Sequence, residues 1–162
     1  MEGSEKGDGV RGRGIAFAKY KNLATYVAVV AEVEIDRKSG RVRVPRAFAA
    51  AEPGQIINPD GLANQSEGGM IPSTSWTLRE AVRFDRNGIT SRDWNGYPIL
   101  TMPEVPEISV MLHNRNGEKP LGAGEASQGP MAAAIANAFA NATGRRLRDL
   151  PFSPERVQAA LG

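Results

Sequence analysis

From Tyr26 the chain alternates with a period of two: Val27, Val29, Val33 and Ile35 fall on one side, Glu32 and Glu34 on the other. Such alternation marks a strand with one face buried. The preceding "GRGIAFAKY" is also rich in β-formers, "RKSG" supplies a turn, and "RVRVPRAFAAA" alternates again through Val42 and Val44. These segments predict an antiparallel meander with one face in water. At "INPDG" the period changes. Asn58 suits an N-cap and Pro59 the first helical position, so a helix is expected from Pro59 to about Glu80. Gly68, Gly69 and Pro72 oppose regularity and predict a kink or break near Pro72. A short strand near "AVRF", a turn at "DRNG", a proline-punctuated stretch to Pro106 and a strand in "EISVMLH" follow.

Met131, Ala134, Ile135, Ala138, Phe139 and Ala142 then recur at helical spacing, with Pro130 at the first helical position and Gly129 or Gln128 as cap. Their small side chains suit close packing against a sheet. A short helix is expected in "SPERVQAALG". Strands in a run followed by helices, without βαβ alternation, define an α+β fold: a mixed or antiparallel sheet with helices packed on one side.

Composition narrows the function classes. The 162 residues, 41% hydrophobic and 23% charged, fit one globular domain. The expected organisation is a disordered or extraneous N-terminus over 1–11 and a single domain over 12–162. The net charge is +2, and basic residues alternate with acids, as in "DRKSGRVRVPR". No aromatic-flanked basic stripe forms, so a nucleic-acid surface is not expected. The chain has no cysteine, which excludes structural disulfides, cysteine-ligated zinc and thiolate-held iron–sulfur clusters within it. No apolar run reaches membrane-span length, and "MEGSEKGDGV" lacks the apolar region of a signal peptide. The expected compartment is the cytoplasm, or the periplasm if the full-length protein carries a signal.

Candidate chemistry concentrates in "GAGEASQGPMAAAIANAFANATG", Gly122 to Gly144, which holds one charged residue, Glu125. A glycine loop at a helix entrance attracts anions, but this one lacks the Lys-Ser/Thr ending of a phosphate-binding loop. A carboxylate near a helix N-terminus is stabilised by about 0.3–1 kcal/mol, so Glu125 has a structural reading. The flanking glycines permit close approach of a ligand, so it has a functional one too. "NQSEGG", from Asn64, is either a solvated helix face or a turn whose amides meet a polar ligand. His113 is the only histidine, which argues against a Ser-His-Asp triad or a multi-histidine metal site; it is expected to cap or flank a strand. Trp76 and Trp94 are expected to serve packing.

Six blocks occur in order: "KNLATYVAVVAEVEID", "GQIINPDGLANQSEGGMI", "SWTLREAV", "SRDWNGYPIL", "PLGAGEASQGPMAAAIANAFANATG" and "RLRDLPFSPERV". Together they resemble the C-terminal part of the molybdopterin-binding subunit of the xanthine dehydrogenase and aldehyde oxidase family. Bacterial members acting on aldehydes or on N-heterocycles such as nicotinate and isoquinoline are most similar. The resemblance covers about Gly12 to Leu161. It implies a molybdenum cofactor-binding fold, with Glu125 as general base beside the molybdenum, Gln65 contacting the pterin and Gly124 in the loop at the metal. The molybdopterin dithiolene would supply the metal's sulfur ligands, so no metal ligand is assigned to this chain. "AEPG" and Pro72 depart from the family's pattern around the Asn-Pro block.

The resemblance further implies partners. These are the N-terminal part of the molybdopterin subunit, an iron–sulfur subunit for electron transfer, and a flavin or cytochrome subunit as a further carrier. The chain alone is then expected to be inactive, with the loops Gly122–Gln128 and Asn64–Met70 exposed. The competing reading is a non-catalytic assembly module that retains the fold.

Overall fold

The structure, a computed structural model, describes residues 9–162. Most of the expected N-terminal segment, residues 1–8, lies outside the described residues. In chain order the elements are β1 (Val10–Lys19), a 3-10 turn (Tyr20–Asn22), β2 (Tyr26–Ile35), β3 (Val42–Glu52), α1 (Pro59–Leu78), β4 (Phe84–Asp85), β5 (Gly88–Ile89), a 3-10 turn (Met102–Glu104), β6 (Glu107–Leu112), α2 (Gln128–Thr143) and α3 (Pro154–Leu161). Val10 and Arg11 are thus the first residues of β1.

The main sheet has the order β1-β2-β3-β6. The first three strands form the expected antiparallel meander. β6 then lies parallel to β3, with Ala47 opposite Ile108, after a crossover that contains α1. The sheet is therefore mixed and the class α+β, as the pattern predicts. β4 and β5 make a separate two-residue hairpin across the "DRNG" turn.

β3 contains a proline, which cannot donate to a ladder. It is accommodated by a bulge: Glu32 pairs with Arg46 and Glu34 with Arg43, so Val33 faces two residues, Val44 and Pro45. The bulge shifts the phase of the strand, and burial passes from Val44 to Ala47, Ala49 and Ala51.

The inner face of β2 is buried along Val27, Val29, Ala31, Val33 and Ile35. α2 covers it with Met131, Ala134, Ile135, Ala138 and Phe139, all buried, and Phe152 meets Phe139 edge-on at 5.6 Å. Over β1 the helix comes closer still. A methyl group on Gly14 would lie 2.1 Å from the Ala138 nitrogen and 2.3 Å from the Ala134 oxygen, and one on Gly12 would lie 2.2 Å from the Ala138 oxygen. An alanine-rich helix here meets a strand that presents no side chains. Two amides one turn apart complete the contact: Asn137 Nδ2 donates to the Ile15 carbonyl at 2.9 Å, and Asn141 Oδ1 accepts from the Arg13 amide at 3.1 Å. They satisfy backbone groups on the outer edge of β1 that would otherwise invite another strand.

The outer face divides along its length. At one end Glu32 sits between Arg13 and Arg46, and Glu34 between Arg11 and Arg43. At the other, Ile15 and Phe17 are 62% and 64% exposed, with Phe17 stacked on Tyr26 at 5.9 Å.

Three expectations are corrected. α1 runs without interruption from Pro59 to Leu78, with Pro72 inside it. Its Asn58 cap is as expected, accepting from the Gly61 amide at 2.9 Å. Beyond that, tertiary packing overrides the local penalty, because one face is buried from Ser66 through Leu78 and Ser73 Oγ bonds to the start of α2. α2 begins at Gln128, two residues before Pro130, and its N-cap position is Ser127, whose hydroxyl is used elsewhere. Trp94 is 75% exposed and does not serve the core of this chain.

Gly14→Ala is expected to lose at least about 1–3 kcal/mol through overpacking, whereas Gly124→Ala, whose methyl would meet nothing within 4 Å, should stay within about 0.5 kcal/mol of the parent; chemical denaturation midpoints measure both. The Arg13 hydrogen bond, followed by that of Arg46, holds the Glu32 carboxyl below the usual glutamate value against the opposing effect of burial. Its ion pairs therefore add stability above the unfolded-state pKa, and that stability is lost as pH falls through the folded value. In denaturation series from about pH 6 to about pH 3, spanning the ordinary glutamate range, Glu32→Gln should flatten the acid loss.

Candidate functional site

Glu125 sits in the tight turn before α2, closed by Ala126 N to Ala123 O at 3.1 Å and Gln128 N to Glu125 O at 3.3 Å. Its side chain is exposed. The loop that carries it is fixed by residues distant in sequence. Thr25, buried at the start of β2, donates through Oγ1 to the Gly122 carbonyl at 2.8 Å. Leu121 N bonds the Pro53 carbonyl at 2.8 Å. Ser127 Oγ donates to the Ser66 carbonyl of α1 at 2.8 Å, and Ser73 Oγ to the Gln128 carbonyl at 2.7 Å. A methyl on Gly69 would lie 2.4 Å from Ser127 Oγ, so this glycine lets the two helices meet.

That junction brings the three sequence-predicted residues to one region. Gln65 is exposed on α1, next to the residue that bonds Ser127; Gly124 and Glu125 lie just ahead of Ser127. Residues 64–70 lie within α1 rather than in a loop, and both they and the loop over 122–128 are only partly exposed, because Ala126, Ser127, Ser66, Gly69 and Met70 are buried at the helix junction. His113 is exposed directly after β6, its backbone amide bonded to the Ala51 carbonyl at 2.9 Å, so it flanks a strand as expected.

Tyr20 is a residue that the pattern along the chain does not single out. Its hydroxyl donates to Glu125 Oε2 at 2.6 Å across 105 positions of sequence. This hydrogen bond, reinforced by partial burial, raises the Tyr20 pKa, so the phenol keeps its proton and remains the donor. The turn behind it is closed by Tyr20 N to Thr25 O at 2.8 Å and Ala24 N to Tyr20 O at 2.9 Å. Closure forces Lys21 and Asn22 to φ of 52° and 59°, a left-handed conformation that costs an L-residue such as lysine about 1–2 kcal/mol. Only the tyrosine's place at the end of β1 hints at its role in sequence; its partner is invisible there.

Among the described residues no buried side-chain nitrogen or oxygen lacks a hydrogen-bond partner. Free polar capacity is therefore at the surface, where Gln65 offers an amide and Glu125 a second carboxylate oxygen. Added methyls at Gly122 and Gly124 would meet nothing within 4 Å, which leaves open space beside the carboxylate. No group of three or more His, Cys, Asp or Glu side chains among the described residues could hold a metal ion. A separate open concavity of about 680 Å³ at the β3 bulge is lined by Arg11, Arg13, Glu32, Glu34, Arg43 and Arg46, where Arg13 and Arg46 pair with Glu32, and Arg11 and Arg43 with Glu34.

Comparison with known proteins defines the class. Residues 5–106 match the family model of the molybdopterin cofactor-binding domain, and the chain belongs to this family. It is 46% identical over its whole length to a nicotinate dehydrogenase subunit of Pseudomonas putida, of which it spans 14%. The β-subunit of isoquinoline 1-oxidoreductase from Brevundimonas diminuta is 34% identical over 90% of the chain, which spans 18% of that protein. The fold superposes on quinoline 2-oxidoreductase from Pseudomonas putida 86 with a TM-score of 0.78 at 26% identity, covering 85% of this chain and 18% of that one. Aldehyde oxidoreductase from Desulfovibrio gigas gives 0.75 at 28% identity, covering 85% and 15%. The chain thus spans less than a fifth of each of these relatives. The family match ends before Glu125, which lies within the longer pairwise match to the nicotinate dehydrogenase chain. No helix of the described residues is long and apolar enough to cross a membrane.

Thr25→Val, which keeps the shape but removes the bond to Gly122, is expected to cost about 0.5–1.5 kcal/mol. Amide hydrogen exchange should accelerate across residues 122–126 while the α2 core around Ile135 stays protected.

Proposed function

We propose that this chain supplies the general base and one wall of the cofactor site to a molybdenum hydroxylase, an enzyme that hydroxylates an N-heterocycle or an aldehyde with water as oxygen source. What carries the reading is Glu125: an exposed carboxylate in a tethered turn, with one oxygen held by Tyr20, the other free, and open space at Gly124. The names of relatives that act on nicotinate and isoquinoline favour the heterocyclic substrates.

When bound, the molybdenum cofactor supplies a two-electron acceptor and a Lewis-acidic centre for water. Gln65 would hold the pterin through its amide, and Gly124, with no side chain, would leave room for the cofactor beside Glu125. Glu125 accepts the proton released as the water-derived oxygen attacks an electrophilic substrate carbon; a positioned base of this kind contributes about 10²–10⁴-fold. The turn at the start of α2 fixes the Glu125 backbone, because Ser127 and Gln128 are bonded to α1. The remaining cofactor donors and the substrate pocket come from the N-terminal part of the molybdopterin subunit, and electrons leave through an iron–sulfur subunit. The chain alone is then inactive and holds no molybdenum cofactor tightly, since a few amides on one wall cannot enclose it.

In the enzyme assembled with these partners, Glu125→Gln is expected to lower turnover by at least about 10²–10⁴-fold with molybdenum and pterin content unchanged. Glu125→Asp should lose on the order of 10² through its shorter reach. Normal turnover in the glutamine variant would remove Glu125 from the chemistry and favour a non-catalytic assembly role.

A further inference from the structure

We propose that Tyr20 is a positioning residue for Glu125: its phenol holds Oε2, so that Oε1 is the oxygen that receives the proton. The inference rests on the reading of Glu125 as general base and adds what makes that base usable.

A glutamate side chain on an exposed turn has several rotatable bonds and many accessible rotamers. A general base, by contrast, must sit within hydrogen-bond reach of the proton it takes. Nothing in the Glu125 backbone turn restricts the side chain, and it is exposed. Among the described residues, the one side-chain hydrogen bond to Glu125 is the 2.6 Å donation from Tyr20. It singles out one of two chemically equivalent oxygens.

The tyrosine is itself held from several sides. Its backbone amide is bonded to Thr25, and Thr25 clamps the Gly122 carbonyl three residues ahead of Glu125. The phenol and the carboxylate are therefore carried by two segments tied to the same anchor. Lys21 Nζ lies 5.1 Å from the centre of the Tyr20 ring, and Lys21 and Asn22 take left-handed backbone conformations immediately after it. A turn that accepts two non-glycine residues with positive φ carries strain of the kind that collects at functional sites. The contact it delivers joins a partly exposed phenol to an exposed carboxylate. Its consequence is orientation. The raised Tyr20 pKa keeps the phenol protonated, so it donates to the carboxylate without competing for the proton.

The test has two arms. The chain has three tyrosines, Tyr20, Tyr26 and Tyr97, and Tyr97 donates to Glu80 at 2.7 Å as an internal control. With ring-labelled tyrosine followed by NMR in the chain, Glu125→Gln is expected to move the Tyr20 titration midpoint down and leave that of Tyr97 unchanged. A Tyr20 midpoint that does not move overturns the contact and the proposal with it. In the assembled enzyme, Tyr20→Phe keeps the ring and loses the donor. Its kcat is expected to fall about tenfold, within the range a misplacement of under 1 Å produces, with KM and molybdenum content unchanged. Wild-type kcat, or a rise in KM alone, overturns the positioning role. If Tyr20→Phe is normal while Glu125→Gln is dead, the base stands and the positioning role fails. If Glu125→Gln turns over normally, both fail.

Discussion

Everything about this fold depends on how near α2 lies to β1. At Gly12 and Gly14 the helix backbone occupies the space where a strand's Cβ atoms would stand. No other residue type could fill those two positions without displacing the helix. The partners are Ala134, Ala138 and Ala142, so small residues face absent ones and the interface closes at main-chain contact. Dispersion at such separation is favourable over many atom pairs. The amides of Asn137 and Asn141 then use the proximity to bond the edge of β1. Moving the helix outward would break these bonds and open the core around Phe139.

The same constraint sets where the site is. Because the body of α2 is locked to β1 and β2, its first turn is carried to the end of the sheet where β1 passes into β2. Three segments meet there: the Tyr20–Thr25 turn, the Gly122–Ser127 loop and the Ser66–Ser73 face of α1. Three of the joints are hydroxyls, from Thr25, Ser127 and Ser73, donating to backbone carbonyls, and the fourth is the Tyr20 phenol donating to the Glu125 carboxylate. Hydroxyls suit this task, since they satisfy a backbone acceptor at short range without bringing a charge into the junction. Glu125 is an acid at that meeting point, and Lys21 of the adjoining turn places its Nζ 5.1 Å from the centre of the Tyr20 ring. The joints themselves use neutral donors, and the ion pairs among the described residues lie elsewhere, around Glu32 and Glu34 on the outer face, at Arg79–Glu104, and at Arg115 with Glu52 and Glu118.

Similarity to the molybdopterin-binding domains of much longer proteins fits this arrangement. Folds at 26–28% identity superpose with TM-scores of 0.75–0.78. The exposed apolar end of the sheet, with Ile15 and Phe17, and the exposed Trp94 on the long connection before β6 are surfaces this chain does not cover by itself.

Period-two alternation in β2 and the apolar stripe of α2 were legible in sequence because each depends only on which face of one element is buried. The Asn58 cap and the α+β class followed from equally local rules. Resemblance of six blocks located Glu125, Gln65 and Gly124. What sequence could not disclose is what those elements do to one another. Pro72 reads as a helix breaker, yet α1 passes straight through it, because burial against α2 outweighs a local propensity. Gly12 and Gly14 sit in a segment read only as strand-forming, and they are close-packing positions. Trp94 reads as a packing residue and is exposed. The bond from Tyr20 to Glu125 joins residues 105 positions apart, and no periodicity or cap rule reaches that far. Local patterns are set by a residue's own backbone and its near neighbours, so the sequence determined the elements and the acid. Which tyrosine meets that acid was decided only when the sheet and both helices had packed.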